Sequence, residues 1–168
     1  MRAGGGKAKG AEFERHVCKC LSVWISASER DDIFWRSAMS GGRASVQFKQ
    51  GKSNRTQVGD ITAIDPLGSI LTDKVLIECK FYRNLQILGL ITNLKSGINR
   101  HWRECRANAE RHDLLPMLIA RQNRMPIIVC LSERSAEFFS LSERELAHYP
   151  HADVVLFWFS DFMQMATL

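Results

Sequence analysis

Phe13, Val17, Leu21 and Trp24 recur at spacings of four and three residues, which places them on one side of a helix running from Ala11 to about Ser26. Glu14 lies beside that apolar stripe rather than opposite it, so its carboxylate can face a cleft. Ile33 to Ser37 is short and rich in large apolar residues, which predicts a first strand. Ala38 to Thr56 carries Ser40-Gly41-Gly42 among many polar residues and reads as a long loop or a loosely paired ribbon. A loop of that length in a small domain usually has a function. Gln57 to Ile64 reads as a strand, Asp65-Pro66-Leu67-Gly68 as a turn, and Asp73 to Tyr82 as the next strand, giving an antiparallel meander. Ile87 to Thr92 is apolar but interrupted by Gly89, and its pattern is ambiguous. Leu94, Ile98, Trp102, Cys105 and Ala109 then predict a helix from about Asn93 to His112. Leu114 to Ala120 and Met125 to Leu131 form a hairpin around Gln122-Asn123-Arg124, Ser132 to about His148 is helical, and Val154 to Phe159 is a last strand. The order α-β-β-β-α-β-β-α-β predicts an α/β domain, a mixed sheet flanked by helices.

Composition narrows the class. The chain has 168 residues, 45% of them hydrophobic and 24% charged, enough apolar material for one domain with a core. Neither an internal repeat nor a linker is visible, so residues 1–10 read as a flexible basic arm and 11–168 as a single domain. That start lacks the apolar segment of a signal peptide, and no apolar run approaches a membrane span, so no membrane association is expected. Lys and Arg outnumber Asp and Glu by 23 to 18, a balance that favours a polyanionic partner. The distribution is more telling than the total. Between Ile33 and Gly59 there is no acid, while Arg36, Arg43, Lys49, Lys52 and Arg55 all fall there. Such a one-sign segment suits a phosphate backbone, and a solvated loop is the competing reading. The five cysteines are odd in number and form no CxxC, which points to buried thiols in a reducing cytoplasm rather than disulfides or a zinc ribbon. His16 and Cys20 can share a helix face, but two ligands make no zinc site.

The chemistry concentrates in two segments. Along Lys74-Val75-Leu76-Ile77-Glu78-Cys79-Lys80-Phe81, alternation puts Val75, Ile77, Cys79 and Phe81 on one face and Glu78 with Lys80 on the other. A carboxylate and an ammonium on an otherwise apolar strand are costly to bury unless paired or bound to a metal. Gly59-Asp60-Ile61 places a second acid in an apolar run, where it can sit opposite the Glu78/Lys80 pair. Two neighbouring carboxylates repel, and a divalent cation relieves that repulsion. Mg²⁺ takes oxygen ligands, commonly one or two carboxylates plus water and substrate phosphate. Lys80 beside it could orient the attacking water or stabilise charge on phosphorus. A plain inter-strand salt bridge between Lys80 and either acid is the simpler alternative.

Asp60, a hairpin, then Glu78-Cys79-Lys80 resembles the PD-(D/E)xK nuclease superfamily and implies its restriction-endonuclease-like fold. More closely, Lys9-Gly10, Glu14-Arg15, Trp35-Arg36-Ser37-Ala38-Met39-Ser40-Gly41-Gly42, Gly59-Asp60-Ile61 and Ile77-Glu78-Cys79-Lys80 resemble archaeal-type Holliday-junction resolvases, in the right order from Lys9 to Phe81. The resemblance implies a Mg²⁺-dependent DNA endonuclease, with Mn²⁺ as a substitute. Asp60, Glu78 and the Cys79 carbonyl would hold the metal, and Lys80 would position the water. Glu14, preferred over Glu12 by its spacing from Lys9-Gly10, would contact a second metal or a water. Ser40, with Gly41 and Gly42, would touch the region of the scissile phosphate, and Arg36 would lie near the DNA backbone together with Arg43, Lys49, Lys52 and Arg55. The implied substrate is a four-way junction cut by a homodimer, in an intracellular protein of prokaryotic or phage type. Gly59 departs from the family by standing where the superfamily has its proline, and the likeness fades beyond Tyr82.

Other readings compete. A nuclease of this superfamily could act on linear, single-stranded or forked DNA in phage processing, repair or restriction, and a DNA-binding module could keep the fold without catalysis. Arg100, His101, Arg103, Arg106, Arg111 and His112 make the second long helix basic on its exposed side, either as a DNA face or as solvated charge. Trp102 belongs to the apolar stripe and reads as core. Arg121 and Arg124 bracket the hairpin turn, where a phosphate contact is possible. Ser135, Ser140 and Ser142 lack the glycines of a nucleophile elbow, so a serine hydrolase is not supported.

Overall fold

A computed structural model describes residues 5–37, 58–87, 89, 97–141, 147–149 and 152–168. Helix α1 (Gly5–Ile25) buries Phe13, Val17, Cys18 and Leu21 along one stripe. It starts six residues before Ala11, so residues 5–10, expected to belong to a flexible arm, are helical. Lys7, Ala8 and Lys9 are good helix formers, and extending a docked helix is far easier than nucleating one. The helix ends where Ala27 and Ser28 turn to positive φ. Buried Ser22 then ties the chain down, because its hydroxyl accepts from the N–H groups of both Ile33 and Phe34 at 3.0 Å.

Strand β1 (Phe34–Arg36) pairs antiparallel with β2 (Ile61–Ala63), Arg36 opposite Ile61. Helix α2 (Pro66–Thr72) follows where a turn was expected. Asp65 is its N-cap, the carboxylate accepting from Leu67 N–H at 2.9 Å, and Pro66 occupies the first turn, so the Asp-Pro pair begins a helix here. Strand β3 (Val75–Tyr82) therefore does not continue a meander from β2. It pairs in parallel with β4 (Leu115–Gln122), after the crossover helix α3 (Gly97–Arg111). Strand β5 (Ile128–Leu131) closes the expected hairpin with β4. Helix α4 (Glu133–Phe138), β6 (Ala147–Tyr149), β7 (Val154–Trp158) and α5 (Phe159–Met165) complete the described elements. The mixed five-stranded sheet has the order β3-β4-β5-β7-β6, which makes β3 an edge strand.

Two other expectations need correction. The helix predicted from Ser132 to His148 is short, capped by Ser132 and left through Ser140 at φ 56°, and Ala147–Tyr149 is a strand paired with β7. Phe159, assigned to the last strand, instead opens α5, whose buried Phe159 and Phe162 lie three residues apart. Apolar residues run straight from strand into helix, so no polar break marked the boundary.

Two cores sandwich the sheet. One gathers Phe13, Val17 and Leu21 of α1 with Val75, Ile77 and Cys79 of β3 and Phe139 and Phe162 nearby. The other packs Ile98, Trp102, Cys105 and Ala109 of α3 against Leu76 and Leu118, so Trp102 is core. The ambiguous stretch from Ile87 and the basic segment from Arg43 to Arg55 lie largely or wholly outside the described residues.

Gly59 carries the chain into the site. Its φ is +91°, and a Cβ there would sit 2.7 Å from the Ile77 carbonyl oxygen. Proline, with φ fixed near −65°, cannot adopt this conformation. A Gly59→Ala variant should lose about 1–3 kcal/mol from backbone strain alone, with more from the clash, read as a lower midpoint in thermal or urea unfolding. An unchanged midpoint would contradict this geometry.

Candidate active site

The edge of β3 that pairs with no described strand positions Asp60. The Asp60 N–H donates to the Ile77 carbonyl at 2.8 Å, and the Cys79 N–H donates to Asp60 Oδ2, also at 2.8 Å. From the other side, Ser37 N–H donates to the Asp60 carbonyl at 2.9 Å. Asp60 is thus anchored to β3 by both main chain and side chain although β2 and β3 share no ladder, and it is only 7% exposed. Because a strand residue sends its N–H and C=O to the same side, the Cys79 carbonyl faces this edge as well.

Strand alternation then brings in the other two groups. Glu78 and Lys80 point away from the α1 face, and Lys80 Nζ lies 2.7 Å from Glu78 Oε2 and 3.1 Å from Asp60 Oδ2. Two carboxylates therefore converge on one ammonium and leave the trio one positive charge short of neutrality. Burial, and then the Asp60 charge, push the Glu78 carboxyl up to about 7 in spite of Lys80. Burial works against the Lys80 ammonium, but Asp60 and Glu78 overcome it and hold its pKa above the usual lysine range. Its two acid neighbours thus favour the protonated form of Lys80.

Glu14 faces the same region from α1. Arg36 Nε donates to its Oε2 at 2.5 Å, and burial raises its pKa, with the Asp60 charge adding to the effect. Glu12, its competitor, is exposed. Arg36, expected near a DNA backbone, has its guanidinium engaged with Glu14. Ser40, Gly41, Gly42, Arg43, Lys49, Lys52 and Arg55 lie outside the described residues. Asn108 is a contributor that the sequence reading missed, its amide donating to Glu78 Oε1 at 3.5 Å. Three residues beyond Cys105, it is a polar group beside the buried stripe of α3, and that position was the available signal. His101, counted with the exposed basic side, is instead buried and stacks on Tyr82 at 5.3 Å. Tyr82 is 47% exposed and shares the strand face of Glu78 and Lys80.

The donor chemistry suits a hard divalent cation: two carboxylates and a main-chain carbonyl at one edge, with a carboxyl whose ionised form is in need of positive charge. Among the described residues no three His, Cys, Asp or Glu side chains form a metal cluster, so water and substrate oxygens would have to complete the shell. The thiols offer no alternative, since burial pushes Cys18 up to about 12 and Cys79 and Cys105 well above their ordinary value. His16 Nε2 and Cys20 Sγ lie 3.7 Å apart, with Cys20 packed against the core. A cleft of about 480 Å³ lined by Arg103, Arg106, Pro116, Ser132, Arg134 and Asp153 contains none of the acidic trio. Among the described residues no helix is long and apolar enough to cross a membrane.

An acid entering the edge of a mixed sheet, followed by Glu-x-Lys on the edge strand itself, is the arrangement of the PD-(D/E)xK superfamily, and the fold is restriction-endonuclease-like. The chain matches the family described as "phage putative PDDEXK endonuclease" over residues 5–157, and it belongs to that family. Comparisons with curated proteins and with solved structures returned no match.

The raised Glu78 carboxyl fixes the sign of a pH effect. A folded-state pKa above the unfolded one means that folding takes up a proton, so this contribution is full below about 4.5 and is lost as pH rises through about 7. Thermal unfolding of parent and Glu78→Gln across that range should show the parent losing stability relative to the variant. Parallel curves would refute the burial of this charge.

Proposed function

We propose that this chain is a metal-dependent DNA endonuclease that hydrolyses phosphodiester bonds with Asp60, Glu78 and Lys80. The observation that supports it most is the convergence of both carboxylates on the Lys80 ammonium, 3.1 and 2.7 Å away, at a sheet edge of a chain in a PD-(D/E)xK endonuclease family. Asp60, Glu78 and the Cys79 carbonyl would hold Mg²⁺, or Mn²⁺ in its place. Once bound, the cation would acidify water and offset negative charge gathering on the phosphate oxygens. Lys80 donates an N–H toward the attacking water or a phosphate oxygen, which its protonated form permits. Asn108 steadies Glu78, and Glu14 with Arg36 sets the charge on the α1 side of the trio.

The motif resemblance favours branched DNA, such as a four-way junction, as substrate. Two symmetric cuts need two sites, which makes a homodimer the fitting assembly. The Ser40-Gly41-Gly42 segment and the basic run Arg43, Lys49, Lys52 and Arg55 are the proposed contacts to the DNA backbone. The phage description of the family favours a second reading, a nuclease acting on linear or forked DNA during phage genome processing.

A cleavage panel of four-way junction, fork, linear duplex and single strand, each with Mg²⁺, Mn²⁺ or EDTA, tests both readings. The parent should cut with either metal and not with EDTA, and Asp60→Ala or Glu78→Ala should lower the rate about a hundredfold or more, since losing even a group that only orients a metal ligand costs roughly 10–100-fold. Variants that cut as fast as the parent would end the assignment. Preference for the junction would select the first reading, and equal cutting of linear duplex the second.

A further inference from the structure

Past the acidic trio the described residues gather a second charged group, of opposite sign. Lys9 of α1 places its ammonium over the Phe81 ring, 3.7 Å from the centroid. The Arg121 guanidinium carbon lies 5.1 Å from the same centroid. The ring is fixed by Phe13 of α1 at 5.4 Å, and the parallel β3–β4 register sets Arg121 directly across from Phe81. Lys9 also donates to Asn123 Oδ1, beyond the end of β4. The scaffold itself, sheet and α1 together, thus brings two cations onto one aromatic ring.

Neither cation has a carboxylate partner among the described residues. Arg121 Nε is moreover buried with no hydrogen-bond partner. A ring face attracts each cation but neither accepts the Nε proton nor cancels the repulsion between two like charges. An anion that reaches the guanidinium and the ammonium would cancel that repulsion. A guanidinium fork suits a phosphate, and an ammonium serves as a point charge beside it. The neighbouring nuclease site selects a phosphodiester. Phe81 directly follows Lys80 on β3 but faces α1, so the cations lie on the opposite face of that strand from the Glu78 and Lys80 side chains, at the same end of it. Both lie at the carboxyl ends of the parallel pair, the side from which ligands approach such sheets.

We propose that Lys9 and Arg121 form a phosphate-binding subsite that holds the DNA backbone on the α1 face of the sheet, at the carboxyl ends of the two strands whose edge carries Glu78 and Lys80. The subsite rests on the nuclease reading above. It would anchor DNA that reaches the trio round the end of β3, a task the negative trio cannot perform unaided.

The test reads binding rather than cleavage. Fluorescence anisotropy of a labelled duplex and a labelled four-way junction, in EDTA across a KCl series, compares the parent with Lys9→Gln, Arg121→Gln, the double variant and Arg121→Lys. Each lost cation should lower the slope of log affinity against log salt by about 0.9. The double variant should show both losses, and Arg121→Lys should keep the parent slope. Thermal unfolding identifies any variant that fails to fold, and in that case Lys9→Gln carries the test. Parent-like slopes in the folded variants would overturn the subsite and leave the nuclease reading standing. Weaker binding at an unchanged slope would overturn it too, as a structural effect. A parent that shows no salt-dependent DNA binding would remove both.

Discussion

Asp60 and Glu78 share one ammonium at the rim of a sheet, and much of the architecture follows from keeping them there. An edge strand exposes unpaired main-chain groups, and here Ile77 and Cys79 turn theirs to Asp60. The acid is held by the strand that carries its partners. The approach is so close that only glycine at positive φ fits before it. Ser37 and the β1–β2 pair brace the acid from outside, and the α3 crossover puts β4 on the inner side of β3, so that among the described strands the outer edge pairs with none. Fold and chemistry meet at a few main-chain hydrogen bonds.

The trio differs from an ordinary salt bridge in its imbalance. A single ion pair on a strand face would satisfy itself. With two acids and one amine, each partner's state depends on the other two: burial and then the Asp60 charge raise the Glu78 carboxyl to about 7, and the two acids raise Lys80 against the effect of burial. A carboxyl that resists ionisation in a place where its charge would serve hard-cation binding is the kind of tension found at functional sites. Beside it, Lys9 and Arg121 present the complementary imbalance. The two lie on opposite faces of the same strand end, one negative and one positive.

Much of this was legible in the residues, and what was not has physical causes. Period-two alternation put Glu78 and Lys80 on the face opposite Val75, Ile77 and Cys79, as observed. The stripes of α1 and α3 and the β4–β5 hairpin were equally plain. The meander was misread because Asp-Pro signals a turn as readily as an N-cap, and only the packing of Leu71 into the core distinguishes them. Asp60 still arrives beside Glu78, but through the edge of β3 rather than across a ladder. The partnership of Glu14 with Arg36 spans 22 positions and that of Asn108 with Glu78 spans 30, and no local pattern encodes such contacts. The cation pair over Phe81 joins α1 to β4 and was invisible for the same reason.

Whether the acidic edge takes up a divalent cation is the central question, and calorimetric titration of Mn²⁺ into DNA-free protein answers it most directly. Saturable binding by the parent that is lost in Asp60→Asn and in Glu78→Gln, with the folded state intact in both, is the predicted result. A parent that binds no cation, or variants that bind it as tightly as the parent, would show that the trio is a salt bridge and nothing more.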